Sequence, residues 1–182
     1  MKNLIGRPGA ATPVAILLFA AAALAAQGGA AGVKWETPAK WKELPARQMR
    51  VATYSVPAAP GDAEPAECAI FFFGTGQGGD AESNIQRWAG QFEGSSKPAR
   101  STRSSGDMKV QIVEIEGTYT GSGGPMMTQA PVKKAGYKLL GAIVPAPEGS
   151  VFFKLTGPAK TVNAARGDFD ALIASIKSSQ RA

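Results

Sequence analysis

The stretch Ala69–Asn84, AIFFFGTGQGGDAESN, joins an apolar run, a glycine-rich turn and the start of a helix. Its first residues show no alternation of apolar and polar side chains, which is typical of a strand covered on both faces. Asp80 suits the N-cap position, because its carboxylate can accept hydrogen bonds from the free amides of the first helical turn. A buried strand that leads into a capped helix predicts a sheet packed against a helical layer.

Two amphipathic helices are predicted from apolar side chains that recur every three or four residues. The first follows Asp80 over residues 81–93, with one apolar face made of Ile85, Trp88, Ala89 and Phe92. The second opens at Gly157-Pro158, because proline at the first helical position loses no needed hydrogen bond. We expect its C-terminal end at Lys177, where the helix dipole favours a cation, and its buried face to contain Val162, Ala165, Phe169, Leu172, Ile173 and Ile176.

Strands are predicted where short apolar or alternating segments lie between turn residues, at residues 49–56, 67–73, 110–119, 137–144 and 151–155. Short links in the second half of the chain favour antiparallel pairing, and the continuously apolar strands need cover on both faces. The predicted fold class is therefore α+β, with a mainly antiparallel sheet of about five or more strands sandwiched by two main helices.

Two segments depart from this pattern. Residues 94–107 are rich in serine, contain Lys97, Arg100 and Arg103, and show no apolar periodicity, so we predict a mobile surface loop. A basic loop of this kind could instead dock an anionic partner. The apolar phase changes between Ile112 and Val113, which indicates either a bulge or a strand covered on both faces.

The predicted domain organisation starts with a signal peptide at residues 1–25. Lys2 and Arg7 precede an apolar segment, and cleavage is expected after Ala25. That segment is shorter than the ~20 residues that span a bilayer, so we expect an exported protein, periplasmic or extracellular, with no stable membrane insertion after cleavage. Residues 26–48 are predicted as an N-terminal arm pinned by Trp35 and Trp41, and residues 49–182 as a single α+β domain.

Composition excludes several kinds of chemistry. The chain has no histidine, which rules out a Ser-His-Asp triad, a Cys-His pair and histidine-ligated zinc. Its single cysteine, Cys68, cannot form an intramolecular disulfide and is interpreted as a small apolar strand residue. Met126 and Met127 are interpreted as packing residues, because a copper site needs more sulfur or imidazole ligands. A net charge of +6 without a basic aromatic platform argues against nucleic-acid binding.

The glycines of the opening stretch match the dinucleotide-binding pattern G-x-G-x-x-G at Gly74, Gly76 and Gly79. A working motif also needs a helix that starts inside it and an acidic residue about 20 positions later, and this sequence supplies neither. Asp80 would moreover place a negative charge where the phosphate binds. We therefore interpret the glycines as a sharp turn that uses positive φ angles. An alternative is that the loop amides and Gln77 cradle a carboxylate or a peptide carbonyl of a partner.

Several motifs together resemble a family of uncharacterised exported bacterial proteins, from which no activity can be carried over. They are Phe71-Phe-Phe-Gly-Thr-Gly-Gln-Gly-Gly79, Asn84-Ile-Gln-Arg-Trp88, Gln91-Phe92, Gly117-Thr-Tyr119 and Phe153-Lys-Leu-Thr-Gly-Pro158. More loosely, the final strand and helix, Val151 to Ile176, are similar to the PsbP and Mog1 type of α-β-α sandwich. That resemblance implies a binding or assembly factor rather than an enzyme, by analogy of fold.

The leading functional hypothesis is an exported, non-enzymatic binding or accessory module that contacts an unknown protein or a small anionic ligand. Its expected contact residues are Gly76, Gln77, Gly78, Gly79, Arg87 and Trp88, with no catalytic, cofactor or metal residues assigned. One alternative is an enzyme of the cell envelope that uses carboxylates, lysine or hydroxyls, with Glu114, Glu116, Lys154 and Tyr119 as candidates. The other is a small-molecule carrier, which predicts a large apolar cavity between sheet and helix.

Overall fold

The computed structural model describes residues 26–95, 97–121 and 133–179. The signal peptide predicted for residues 1–25 and the Met126-Met127 pair lie outside these residues. The described strands are β1 (Gln27–Ala30), β2 (Val33–Glu36), β3 (Lys42–Glu43), β4 (Ala52–Val56), β5 (Ala66–Phe71), β6 (Phe92–Glu93), β7 (Ala99–Ser105), β8 (Met108–Tyr119), β9 (Lys134–Ala146), β10 (Gly149–Pro158) and β11 (Lys177–Ser178). The helices are α1 (Ala81–Ala89), α2 (Ala159–Ala164) and α3 (Arg166–Ala174). None of the helices in the described ranges is long and apolar enough to cross a membrane.

An eight-stranded sheet organises the molecule, in the order β3-β4-β5-β10-β9-β8-β6, with β7 also paired to β8. A smaller sheet has the order β1-β2-β11. Each pairing described between these strands is antiparallel. The α+β class with a mainly antiparallel sheet is therefore confirmed.

Apolar side chains cover both faces of the large sheet. Alternation along β10 sends Val151, Phe153 and Leu155 to one hydrophobic cluster and Phe152 to the other. The first cluster includes residues of α2, α3 and the small sheet, and the second includes Ile85 and Trp88 of α1. The central strands are continuously apolar because each of their faces contacts a separate layer.

The N-terminal tryptophans are buried, as predicted for an arm that pins itself to the domain. Trp35 is 1% exposed and Trp41 is 6% exposed. The Trp35 ring meets the Phe153 ring edge-on, with centroids 5.2 Å apart. The arm itself contributes strands to both sheets rather than lying as an irregular segment.

The loop predicted at residues 94–107 is wrong, because Ala99–Ser105 forms β7 and pairs with β8 along its whole length. Its side chains are exposed apart from Ser105, so the strand carries no apolar signal that a sequence pattern could reveal. Backbone hydrogen bonds to β8 hold it in place. The bulge considered at Ile112 and Val113 is also absent: the register is continuous there, and the irregularity lies between Gly117 and Tyr119.

The last helix begins and ends differently from the prediction. β10 continues to Pro158, which is the N-cap of α2, and a break at Ala165 separates α2 from α3. Lys177 does not end a helix; it lies in β11 opposite Lys34 of β2. The predicted apolar face is nonetheless buried throughout, from Val162 to Ile176. The first helix likewise stops at Ala89, and Phe92 belongs to β6.

Candidate binding site between the first helix and the sheet

The glycine loop is a turn built on left-handed backbone angles. Gly74, Gly76, Gly78 and Gly79 have φ values of 100°, 70°, 90° and 75°. The backbone N–H of Gln77 closes the turn by donating to the Gly74 carbonyl at 3.0 Å. At Gly78 a Cβ atom would lie 2.8 Å from the Phe73 ring. The prediction that these glycines provide positive φ angles is confirmed, and at Gly78 the lack of a side chain also allows close packing.

Asp80 caps α1 as predicted. Its carboxylate accepts from the Ser83 amide at 2.9 Å and from the Ser83 hydroxyl at 2.7 Å, and these bonds hold the Asp80 pKa below its ordinary value. Buried Asn84 donates to the Gly78 carbonyl at 2.7 Å, which ties the loop to the helix. After α1 the chain enters β6 at the far end of the sheet, antiparallel to β8, so the parallel unit of a dinucleotide site does not form.

A cavity of about 300 Å³ lies between α1 and the sheet. Its floor consists of neighbouring side chains from two paired strands, Glu67, Ala69 and Phe71 of β5 and Phe152, Lys154 and Thr156 of β10. Asn84, Arg87 and Trp88 of α1 form another wall, and the remaining lining residues are Arg50, Phe73, Gln91 and Tyr119. The Trp88 ring packs so closely on β9 that a Cβ at Gly141 would lie 2.4 Å from it.

Lys154 is a mostly buried ammonium group in the cavity floor. It donates to the side-chain oxygen of Gln91, and its Nζ lies 5.8 Å from the centre of the Tyr119 ring. No carboxylate pairs with it in the described part of the chain. Burial, with a further contribution from the Arg50 charge, lowers the pKa of Lys154 to about 8.

The one carboxylate of the cavity, Glu67, is already engaged. It contacts Arg50 at 2.6 Å and Arg47 at 3.1 Å. The Arg50 guanidinium also lies 5.6 Å from the centre of the Phe71 ring. Arg87 is exposed, and its guanidinium forms no hydrogen bond or ion pair with a described residue. The lining therefore carries three cationic side chains against one acidic side chain.

Thr156 adds an unpartnered polar group to the cavity floor, near Lys154. Its hydroxyl oxygen is buried and has no hydrogen-bond partner among residues 26–95, 97–121 and 133–179. A buried hydroxyl without a hydrogen-bond partner costs free energy. A ligand atom that hydrogen-bonds to Thr156, two residues from Lys154 on the same face of β10, would therefore be favourable.

A surface groove of about 320 Å³ continues from the cavity and shares Phe73 and Arg87 with it. Its other lining residues are Met49, Gln77 and Gly78. Met49 is 72% exposed and has a φ of 62°, an unusual angle for a residue with a side chain. The cavity thus opens beside the glycine loop, next to an apolar side chain held out in solvent.

Four of the six sequence-predicted contact residues line the cavity or the groove. Arg87 and Trp88 line the cavity, and Gln77, Gly78 and Arg87 line the groove. Gly76 and Gly79 belong to the same loop but line neither. Sequence reasoning missed Arg50, Glu67 and Thr156. A signal was present: Phe152, Lys154 and Thr156 share one face of β10, and polar residues on a covered face are unusual.

The candidate enzyme residues lie on opposite faces of the sheet. Glu114 and Glu116 contact Lys138 at 3.1 and 2.7 Å, and Glu114 also pairs with Arg166 of α3. These partners, Arg166 first, lower the pKa of Glu114, whereas a general acid needs a raised one. Lys154 and Tyr119 do meet, but in the cavity on the α1 side. The set does not assemble into one catalytic site.

Cys68 is fully buried on the opposite face from the cavity. Burial raises the pKa of its thiol well above the ordinary range, which is typical of an inert packing residue. Among the described residues, no group of three or more cysteine, aspartate or glutamate side chains is placed to hold a metal ion.

No family model and no curated protein matches the sequence. Two solved structures share its fold. Cyanobacterial PsbP (CyanoP) from Synechocystis sp. PCC 6803 matches with a TM-score of 0.53 and 11% identity, over 93% of this chain and 98% of that chain. LpqN of Mycobacterium tuberculosis, which is involved in cell envelope biogenesis, matches with a TM-score of 0.51 and 14% identity, over 80% of this chain and 82% of that chain. The loose PsbP-like resemblance is thus confirmed for the fold, and membership of the exported bacterial family stays a prediction.

Proposed function

We propose that this protein is an exported binding or accessory module of the cell envelope, without catalytic activity of its own. The predicted signal peptide supports export, and a fold shared with LpqN is compatible with a role in the envelope. Fold likeness alone names no partner. The site we assign to this function is the cavity of α1 and the sheet together with the groove beside Gln77 and Gly78.

One observation carries the proposal. The cavity places cationic side chains in excess over carboxylates on aromatic walls, and one of them, Lys154, is mostly buried without an anionic partner in the described chain. Burying an ammonium group is costly unless a partner compensates its charge. A structural role would be served better by an apolar residue at this position. A ligand that supplies the missing charge explains why the lysine stands there.

A small-molecule carrier is the second candidate, and the cavity volume favours it. Ligand pockets typically enclose ~300–1,000 Å³, and the cavity and the groove each fall at the lower end of that range. The lining differs from the large apolar cavity that the sequence-based hypothesis expected, because it includes charged side chains as well as aromatic ones.

Site-specific photocrosslinking in cells that naturally produce the protein tests the proposal. A photoreactive residue would replace Gln77 in the groove or, as the control, Arg103, which faces α3 and lies 3.9 Å from Asp170. We expect a discrete adduct from position 77 and none from position 103. Native mass spectrometry of the protein isolated from the envelope fraction would detect a retained small molecule. Absence of both an adduct at position 77 and a retained molecule would contradict the proposal.

A further inference from the structure

The cavity floor changes from apolar to polar along two paired strands. The antiparallel register places Phe71 opposite Phe152, Ala69 opposite Lys154, and Glu67 opposite Thr156. A strand advances about 3.3 Å per residue, so about 13 Å separates the Phe152 and Thr156 positions. The site therefore has an aromatic end beside the glycine loop and a polar end about 7 to 13 Å away.

At the polar end, hydrogen-bond donors outnumber acceptors. An ammonium group has three N–H donors, and the described structure gives Lys154 one acceptor, the neutral amide oxygen of Gln91. The Thr156 hydroxyl is buried without a partner. Glu67 is held by two arginines and so is not available to Lys154 as a salt-bridge partner. Among the described residues, this end therefore has no free anion that could accept from both Lys154 and Thr156.

At the aromatic end, rings meet with spacings that suit another ring. Phe73 lies 5.9 Å from Phe71 and 5.8 Å from Phe152, and Trp88 meets Phe152 edge-on at 6.4 Å, all measured between ring centroids. Ring pairs at such spacings are favourable in offset and edge-on geometries. A flat apolar group entering from the groove would extend this set.

Resting on the proposed function, we propose that the cavity binds a carboxylate joined to an aromatic or similarly sized apolar body. The carboxylate lies at Lys154 and Thr156, and the body packs among Phe73, Phe152 and Trp88. A monoanion fits better than a phosphate dianion, because Glu67 lies in the same row of the floor and would repel a second negative charge. A volume near 300 Å³ suits a body of about one ring system.

This chemistry has two sources, a free small acid and the C-terminal residue of a peptide. The groove at Gln77 and Gly78 gives a peptide chain a way out of the cavity. The contacts with the carboxylate and with the apolar body are the same in both cases. The experiment therefore needs one arm for each source.

Calorimetric titration at pH 7 with matched probes tests the proposal. The small-acid arm compares phenylacetate with phenylacetamide and acetate, and the peptide arm compares N-acetyl-Ala-Ala-Phe with a free and an amidated C-terminus. We expect each arm's acid to bind at least about tenfold more tightly than its amide wherever that arm binds, since charged hydrogen bonds are worth that much. Acetate should bind weakly because it lacks the apolar body.

Two cavity variants and one control make the assignment specific. Lys154→Met should remove the preference for the acid, and Thr156→Val should reduce it, while circular dichroism and thermal melting verify that each variant is folded. Arg103→Ala removes one positive charge on the opposite face and should leave the preference unchanged.

Equal affinity for acid and amide, or a preference that survives in Lys154→Met, would overturn the assignment. If no probe binds but position 77 still gives an adduct in the envelope, the ligand class is wrong and the binding function stands. If no probe binds and the protein from the envelope shows neither an adduct at position 77 nor a retained molecule, both are wrong. Binding in the peptide arm alone identifies a peptide terminus as the source, and binding in the small-acid arm alone identifies a free acid.

Discussion

Two lysines on adjacent strands of the sheet, Lys138 buried and Lys154 partly buried, differ in what surrounds their charge. Lys138 of β9 points to the α2–α3 face, is 6% exposed, and contacts Glu114 at 3.1 Å and Glu116 at 2.7 Å. Lys154 of β10 points to the α1 face, and its partners are the Gln91 amide and the Tyr119 ring. Each lysine lies opposite a glycine on the neighbouring strand.

This difference separates a structural charge from a functional one. Around Lys138 the fold itself supplies two carboxylates that compensate the positive charge, so no ligand is needed there. Around Lys154 the fold supplies one neutral amide acceptor and no salt bridge among the described residues, and Glu67, the carboxylate of the same cavity, is paired with two arginines. We infer that Lys154 on the α1 face serves binding rather than stability. Replacing each lysine by methionine should therefore change the free energy of unfolding in opposite directions.

The largest effect is expected from Lys138→Met. Removing the ammonium leaves Glu116 without its partner and weakens the cluster around Glu114, which would still pair with Arg166. Breaking such a pair by removing one member is costly, and we expect the free energy of unfolding to fall by about 2–3 kcal/mol. Urea denaturation followed by circular dichroism measures it. An unchanged midpoint would show that this cluster is not structural.

The same substitution at the other site, Lys154→Met, should stabilise the protein by about 1–2 kcal/mol at pH 7, because it removes a partly buried charge without leaving a carboxylate unpaired. The measurement is the same denaturation curve. A loss of stability as large as that of Lys138→Met would mean that the two lysines are equivalent, and the comparison would fail.

The stabilisation by Lys154→Met should depend on pH in a defined window. The pKa of Lys154 is about 8 in the folded protein and near 10.5 when unfolded, so the folded state loses its proton first as pH rises. Below pH 8 both states are charged and burial destabilises the wild type fully. Between pH 8 and 10.5 the wild type gains stability relative to the variant, and the difference between them shrinks. A difference that stays constant from pH 7 to 10 would contradict this.

A smaller effect is expected from Thr156→Val. The substitution keeps the shape of the side chain and removes a buried hydroxyl that has no partner in the described chain, so we expect a gain of about 0.5–1 kcal/mol. Thermal unfolding of the ligand-free protein measures it. Thr161 is the matched control, because its hydroxyl donates to Asp62 at 2.6 Å and accepts from the Ala59 amide at 2.9 Å. Thr161→Val should be destabilising, and equal shifts for both variants would contradict the assignment.

Much of the fold was predictable because the decisive signals are local. Asp80 at the start of α1, the apolar run of β5 and the buried face from Val162 to Ile176 each follow from neighbouring residues. β7 was not predictable, since its polar side chains are exposed and its stability comes from pairing with β8. The division of the last helix at Ala165 and the small sheet formed by β11 depend on tertiary packing in the same way.

The site was predictable in part. Arg87 and Trp88 line the cavity and lie on the predicted helix. The glycine loop directly precedes that helix in the sequence. The polar end of the cavity depends on the register of β5 against β10, which brings Glu67 and Ala69 beside Lys154 and Thr156 from a distant part of the chain. Alternation along β10 predicts that Lys154 and Leu155 point to opposite faces of the sheet. It does not predict that α1 covers Lys154, or that Lys154 has no salt bridge with a described carboxylate.

The most direct test of the central claim is an NMR pH titration of the Lys154 side chain, with and without saturating phenylacetate. Arg50 and Glu67 act electrostatically on this ammonium, the centre of the Tyr119 ring lies 5.8 Å from it, and Arg87 lines the same cavity. We predict a pKa of about 8 in the free protein and a clear rise when the ligand is bound, because a bound carboxylate favours the charged form. An ordinary lysine pKa in the free protein, or no change on adding the ligand, would contradict the account.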